Sequence, residues 1–123
     1  MKKNPKSLSR KQIDSVISLY SKGHFQNAID KIKALNNDFP NVPLLFNLIG
    51  ACYREIGEFE GAVKMFETAV NIKPDYAEAH FNHGVVLNEL QKSDSAILSY
   101  KKAVAIQPKY PDALNNLGNI LKE

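Results

Sequence analysis

The chain has a single cysteine in 123 residues, so it can form no internal disulfide. It has no apolar run near the roughly 18 residues that cross a membrane as a helix. Residues Met1 to Leu8 carry lysines but lack the apolar stretch of about 7 to 15 residues that a secretory signal needs. These absences lead to the expectation of a soluble, cytoplasmic protein with no membrane partner. Also missing are a Gly-rich phosphate loop, a Gly-x-Ser-x-Gly elbow and a Cys or His cluster. That argues against an enzyme acting through this chain alone, and against a cofactor. A basic body is missing too. Of the cations behind the formal charge of +3, Lys2, Lys3, Lys6, Arg10 and Lys11 lie in the first eleven residues, and the remainder holds 11 Lys and Arg against 13 Asp and Glu. A nucleic-acid binder needs its basic face on the folded body. The excess therefore reads as a solvated N-terminal extension, with a flexible basic tail over 1–8, and nucleic acid is not an expected partner.

What the chain does have is a period. Ala28, Ala62 and Ala96 stand 34 apart, as do Pro40, Pro74 and Pro108. Phe66 and Tyr100, then Ala69 and Ala103, keep the same phase. A fixed period of this length marks a repeat array, in which each unit packs on its neighbours. Apolar residues at Phe46, Ile49, Tyr53 and Ile56, and after Gly57 at Phe59, Ala62, Val63, Phe66, Ala69 and Val70, recur in steps of three and four and predict two amphipathic helices. Gly57 suits the left-handed end of the first helix, and Pro74 stops the second. Asp75 with Glu78 reads as a capping box opening the next unit, and Ser9 with Gln12 as one opening the first. Pro111 fits the first turn of a final helix carrying Ala113, Leu114, Leu117, Ile120 and Leu121. The expectation is all-α, with seven helices: three hairpins and one unpaired helix.

Gly50, Gly84 and Gly118 recur in mid-helix, where glycine costs about 1 kcal/mol against alanine. Close approach of the partner helix is the expected reason. Cys52 falls with Ile49, Tyr53 and Ile56 on one apolar stripe and reads as a packed thiol. His80 and His83 have a spacing that two metal ligands could share. No third ligand is near them, so no metal is expected.

At these residues the sequence resembles the tetratricopeptide repeat family, in Phe46, Ile49, Gly50, Tyr53, Gly57, Phe59, Ala62, Phe66, Ala69 and Pro74. Repeats then run 9–42, 43–76 and 77–110, with a partial repeat 111–123, together making a domain over 9–123. Departures are Val16 in place of Gly, Gln91 and Ser93 in place of the turn Gly and aromatic, and His83 in place of Leu. The resemblance implies a right-handed α-solenoid whose concave face is lined by the first helix of each pair. On this chain that face would carry Ile13, Ile17, Tyr20, Asn47, Ala51, Arg54, Phe81, Asn82, Val85, Asn88, Asn115, Asn116, Asn119 and Lys122. Asparagine amides can meet both the C=O and the N–H of an extended peptide. The candidate peptide-binding groove is therefore Asn47, Arg54, Phe81, Asn82, Val85, Asn88, Asn115, Asn116 and Asn119, with Asn82 expected to be free for ligand. The stretch Asn115–Asn119 resembles the repeats of intracellular O-linked N-acetylglucosaminyltransferases, where such an asparagine ladder holds substrate peptides. Members that clamp a C-terminal carboxylate use Lys and Arg on this face. Here Ile13, Ile17, Leu48 and Asp112 stand at those places, with only Asn82 retained.

Three functions follow as expectations: a protein- or peptide-binding scaffold, the N-terminal arm of a larger transferase, and a self-assembly module. The last rests on the final helix. The side of it holding Gly118 and Leu121 has no hairpin partner within the chain, which suggests a two-fold homodimer through Leu117 and Leu121.

Overall fold

The computed structural model of the chain describes residues 7–122. The expected basic tail therefore falls outside the described residues, except for Ser7 and Leu8, and Leu8 packs against the first core cluster. Seven helices follow in order: α1 (Arg10–Ser21), α2 (Phe25–Asp38), α3 (Pro43–Glu55), α4 (Phe59–Ile72), α5 (Ala77–Glu89), α6 (Ser93–Ile106) and α7 (Pro111–Lys122). There is no strand among the described residues, and no helix among them is long and apolar enough to cross a membrane.

Each helix begins and ends for a local reason. Ser9 caps α1: its side chain accepts from the Gln12 N–H, while the Gln12 side chain accepts from the Ser9 N–H. Pro43 and Pro111 open α3 and α7, where the missing N–H costs nothing. The turns inside the three hairpins need a left-handed residue, and Gly23 (φ 80°), Gly57 (φ 83°) and Gln91 (φ 63°) supply it at the same repeat position. Gln91 does so with a side chain, at a cost of about 1 kcal/mol that glycine avoids. One expectation fails. Asp75 and Glu78 do not form a capping box, because α5 starts at Ala77 with Tyr76 at its N-cap and no side-chain cap bond. Asp75 instead lies 3.7 Å from Lys73 Nζ. Glu78 sits in the first turn, where its charge faces the positive end of the helix dipole.

The helices pair as α1–α2, α3–α4 and α5–α6. Each pair stacks on the next, and α7 packs on α6. The core is correspondingly divided. Val16, Ala28, Ile29, Ile32, Leu45, Ile49 and Cys52 join α1, α2 and α3. Ala62, Phe66 and Val86 join α4 to α5, and Leu87, Ala96, Tyr100 and Ile120 join α5, α6 and α7. A chain of small cores, each shared by neighbouring hairpins, is what a solenoid requires. Phe66 and Tyr100 are fully buried, each worth about 2 to 3 kcal/mol in area removed from water. Their rings explain the mid-helix glycines. A Cβ on Gly50 would lie 2.6 Å from Phe66, and one on Gly84 2.7 Å from Tyr100.

Candidate functional site

The first helices α1, α3, α5 and α7 present a common face, and side chains tie neighbouring members of it together. Three of these ties join residues 35 apart, one more than the period. Tyr20 Oη lies 3.5 Å from Glu55 Oε2, across α1 and α3. Arg54 donates from Nε and Nη2 to the two carboxylate oxygens of Glu89, both at 2.8 Å, across α3 and α5. Asn82 Nδ2 donates to Asn47 Oδ1 at 3.0 Å across the same helices. Arg54 also approaches Glu55 at 3.5 Å. The Glu89 hydrogen bond leads the causes that raise the guanidinium pKa, so it is charged at any working pH.

These ties change the reading of the expected groove residues. Asn47 is 3% exposed with its Oδ1 accepting from Asn82, and Arg54 is committed to Glu89, so burial withdraws the first and an ion pair the second from a ligand. Asn82 is half-buried and spends an amide hydrogen inside the protein. Phe81 and Val85 are half-buried and Asn88 is exposed, on the α5 part of the face. Between α5 and α7 a depression of about 260 Å³ is lined by Val85, Asn88, Glu89, Tyr100, Asn116, Asn119 and Ile120. Asn116 Nδ2 lies 3.4 Å from the Tyr100 hydroxyl at the back of it. Four of the nine expected residues line it, Val85, Asn88, Asn116 and Asn119, and Phe81 is half-buried on α5 outside it. Asn115 is exposed but does not line the depression.

Sequence reasoning missed Tyr100 and Glu89 here. In the sequence Tyr100 stands only as an aromatic in phase with Phe66. Its hydroxyl, absent from the matching Phe66, was the signal that its far end reaches a polar place. Glu89 was readable from the opposite charge 35 residues before it, at Arg54.

The two histidines are not a ligand pair. His80 Nε2 is 2.8 Å from the Pro74 carbonyl, a bond in which a protonated Nε2 donates. His83 Nδ1 lies 3.4 Å from Ser99 Oγ, and its Nε2 is buried without a hydrogen bond, 3.9 Å from Glu67. Burial, with the charges of His80 and Lys102 adding to it, pushes the His83 imidazole down to about 4. Cys52 is fully buried, and burial with the Glu55 charge pushes its thiol up to about 11, the state of a packing residue rather than a nucleophile. At the α7 end, Leu117 is half-buried and packs on the α5–α6 cluster. Leu117 is thus largely used within the chain rather than free for self-association. Leu114 and Leu121 remain 47% and 58% exposed, and a Cβ on Gly118 would meet nothing within 4 Å.

Stacked antiparallel hairpins with a polar first-helix face define the class: an α-solenoid of helical repeats. Within it the chain belongs to the TPR repeat family, whose sequence model matches residues 50–91 and again 84–123. The fold is similar to the first TPR of Spaghetti (RPAP3) bound to HSP90 peptide SRMEEVD, with 22% identity over 97% of each chain and a TM-score of 0.87. It is also similar to the second TPR domain of human RPAP3 in complex with HSP70 peptide SGPTIEEVD, with 20% identity over 91% of this chain and 93% of that one and a TM-score of 0.84. The Sgt2 TPR domain from Aspergillus fumigatus aligns at 17% identity over 97% of this chain and 83% of its own, with a TM-score of 0.88. At these identities the likeness concerns the fold.

Proposed function

We propose that this chain is a non-catalytic protein–protein interaction scaffold that holds an extended peptide on the face formed by α5 and α7. The observation that carries this reading is the depression between those helices, where Asn88, Asn116 and Asn119 place amides around the Tyr100 hydroxyl. Amides there can match the alternating C=O and N–H of a peptide backbone without demanding one side chain. Two of the similar folds hold peptides ending in EEVD. The family resemblance implies cations at the places held here by Ile13, Ile17, Leu48 and Asp112 in members that clamp a carboxylate, which favours a different ligand. A random heptapeptide phage library panned on the protein supplies a ligand. The double variant Phe81→Ala, Asn116→Ala should then bind the selected peptide about tenfold more weakly in calorimetry, with its helical content kept. Wild-type affinity in that variant overturns the reading.

The likeness of Asn115–Asn119 to O-linked N-acetylglucosaminyltransferase repeats extends the same reading to a substrate-positioning arm of a larger transferase. A further reading, self-assembly, is favoured by exposed Leu114 and Leu121 beside the open Gly118. Antiparallel pairing of two α7 helices puts Leu114 of one against Leu121 of the other and brings the glycines together at the crossing, a two-fold contact. Light scattering over a hundredfold range of concentration should show association that Leu121→Glu abolishes, and a strictly monomeric wild type overturns it.

A further inference from the structure

At the edge of the proposed groove, where α5 and α7 begin, the surface changes from amide to aromatic. Phe81 and Tyr110 pack as a tilted pair, with centroids 5.1 Å apart and planes at 35°, and Phe81 continues to Tyr100 at 5.9 Å. Phe81 and Tyr110 are only half-buried, as is Tyr76 at the N-cap of α5. Two carboxylates border this platform: Glu78 in the first turn of α5 and Asp112 in the first turn of α7. Neither is in an ion pair among the described residues. Glu78 acts on the hydroxyls of both Tyr76 and Tyr110, and Asp112 on Tyr110. Together with burial, the leading cause, they push both phenols up to about 12. A neighbouring ring already attracts a cation, since Lys73 Nζ lies 5.2 Å from the centroid of Tyr76.

Flat aromatic faces attract cations through the ring quadrupole, and unpaired carboxylates add charge attraction. The wider face has the same sign. With Arg54 and Glu89 paired to each other, Glu55, Glu78 and Asp112 remain on α3, α5 and α7 against Lys122. Resting on the peptide-groove reading above, we infer that the Phe81–Tyr110 platform with Glu78 and Asp112 is a subsite for an Arg or Lys side chain of the bound peptide. The preference is opposite in charge to the EEVD peptides held by the similar folds. Phe81 and Asn88 lie about 10 Å apart along α5, a distance that extended chain covers in about three residues. The cation therefore stands about three positions from the peptide residue seated in the amide-lined depression.

The same heptapeptide panning tests this, with SRMEEVD as a second, fixed probe. Enrichment of one Arg or Lys at a constant position is expected, with little binding of SRMEEVD. The double variant Glu78→Gln, Asp112→Asn should weaken the selected peptide about tenfold. Its melting temperature is measured in parallel, because first-turn carboxylates also stabilise helices. Unchanged melting with lost binding supports the subsite, and retained binding overturns it. Enrichment of acidic or neutral peptides, or preferential binding of SRMEEVD, overturns the cation preference and leaves the groove standing. No enrichment over the Phe81→Ala, Asn116→Ala protein overturns both.

Discussion

Helices α5 and α7 are the same repeat helix in two environments. Asn82 corresponds to Asn116, His83 to Leu117, Gly84 to Gly118 and Leu87 to Leu121, each 34 residues on. In α5 every one of these is used by the fold: Asn82 by Asn47, His83 by Ser99, Gly84 by the Tyr100 ring, and Leu87, 6% exposed, by the core. In α7 Asn116 and Leu117 are only half-buried. Asn116 reaches a single hydroxyl, Gly118 faces open space and Leu121 is exposed. The repeat is thus a lock in two halves. One helix provides the glycine and the polar rung, and its neighbours provide the ring and the partner amide. In α5 the motif is used within the fold, while in α7 Asn116, Gly118 and Leu121 have fewer partners among the described residues.

The largest test of this difference is steric. Gly84→Leu must displace the Tyr100 ring, whose atoms would lie within 2.7 to 3.1 Å of the first added carbon. It should cost about 3 kcal/mol or more, far above the roughly 1 kcal/mol gained in helix propensity. Thermal melting reads it directly, and a variant as stable as the wild type would show that the helix pair is not closed on that ring.

Next in size is His83, which puts a titratable ring where the terminal helix has Leu117. Its folded pKa of about 4 lies below its ordinary 6.5. The unfolded chain therefore takes the proton first as pH falls. Stability should be unaffected above about 6.5, fall between 6.5 and about 4, and level off below. The loss is on the order of 2 kcal/mol, less than the full shift implies because the ring can turn partly toward water. His83→Leu should remove that part of the pH dependence, checked by denaturant melts from pH 4 to 8. An unchanged slope would place the titration elsewhere.

The amide pair gives a smaller contrast. Asn82→Ala strands the buried Asn47 Oδ1 and should cost about 1 to 2 kcal/mol, whereas Asn116→Ala should change stability by less than about 0.5 kcal/mol while weakening peptide binding. Equal effects on stability would erase the distinction between spent and available asparagines.

That distinction could not be read within one repeat. Helix positions, turn glycines and the Gly50 and Gly84 contacts were legible because each depends on local spacing within a hairpin. The Asp75 and Glu78 pattern misled because α5 starts at Ala77 with Tyr76 as its N-cap, which leaves Asp75 outside the cap position. Asn47 and Arg54 looked like ligand donors because their partners lie 35 residues away, on the next first helix. Opposite charge at Arg54 and Glu89, and matching amides at Asn47 and Asn82, were visible at that spacing. Only the offset of stacked helices turns the spacing into contact.

The smallest effect probes the open half of the lock. In a solvent-facing helix, glycine to alanine gains about 1 kcal/mol by reducing the freedom of the unfolded chain and improving helix propensity. At Gly84 that gain is overrun by the ring. At Gly118 nothing lies within 4 Å of the added carbon. Gly118→Ala should therefore raise stability by somewhat less than 1 kcal/mol in dilute protein. At high concentration the same methyl should weaken any pairing of two α7 helices that brings the glycines together. Chemical melts at two protein concentrations separate the two effects. A destabilised variant even in dilute solution would mean that Gly118 is covered by the chain itself, and α5 and α7 would then no longer differ in the way their surroundings imply.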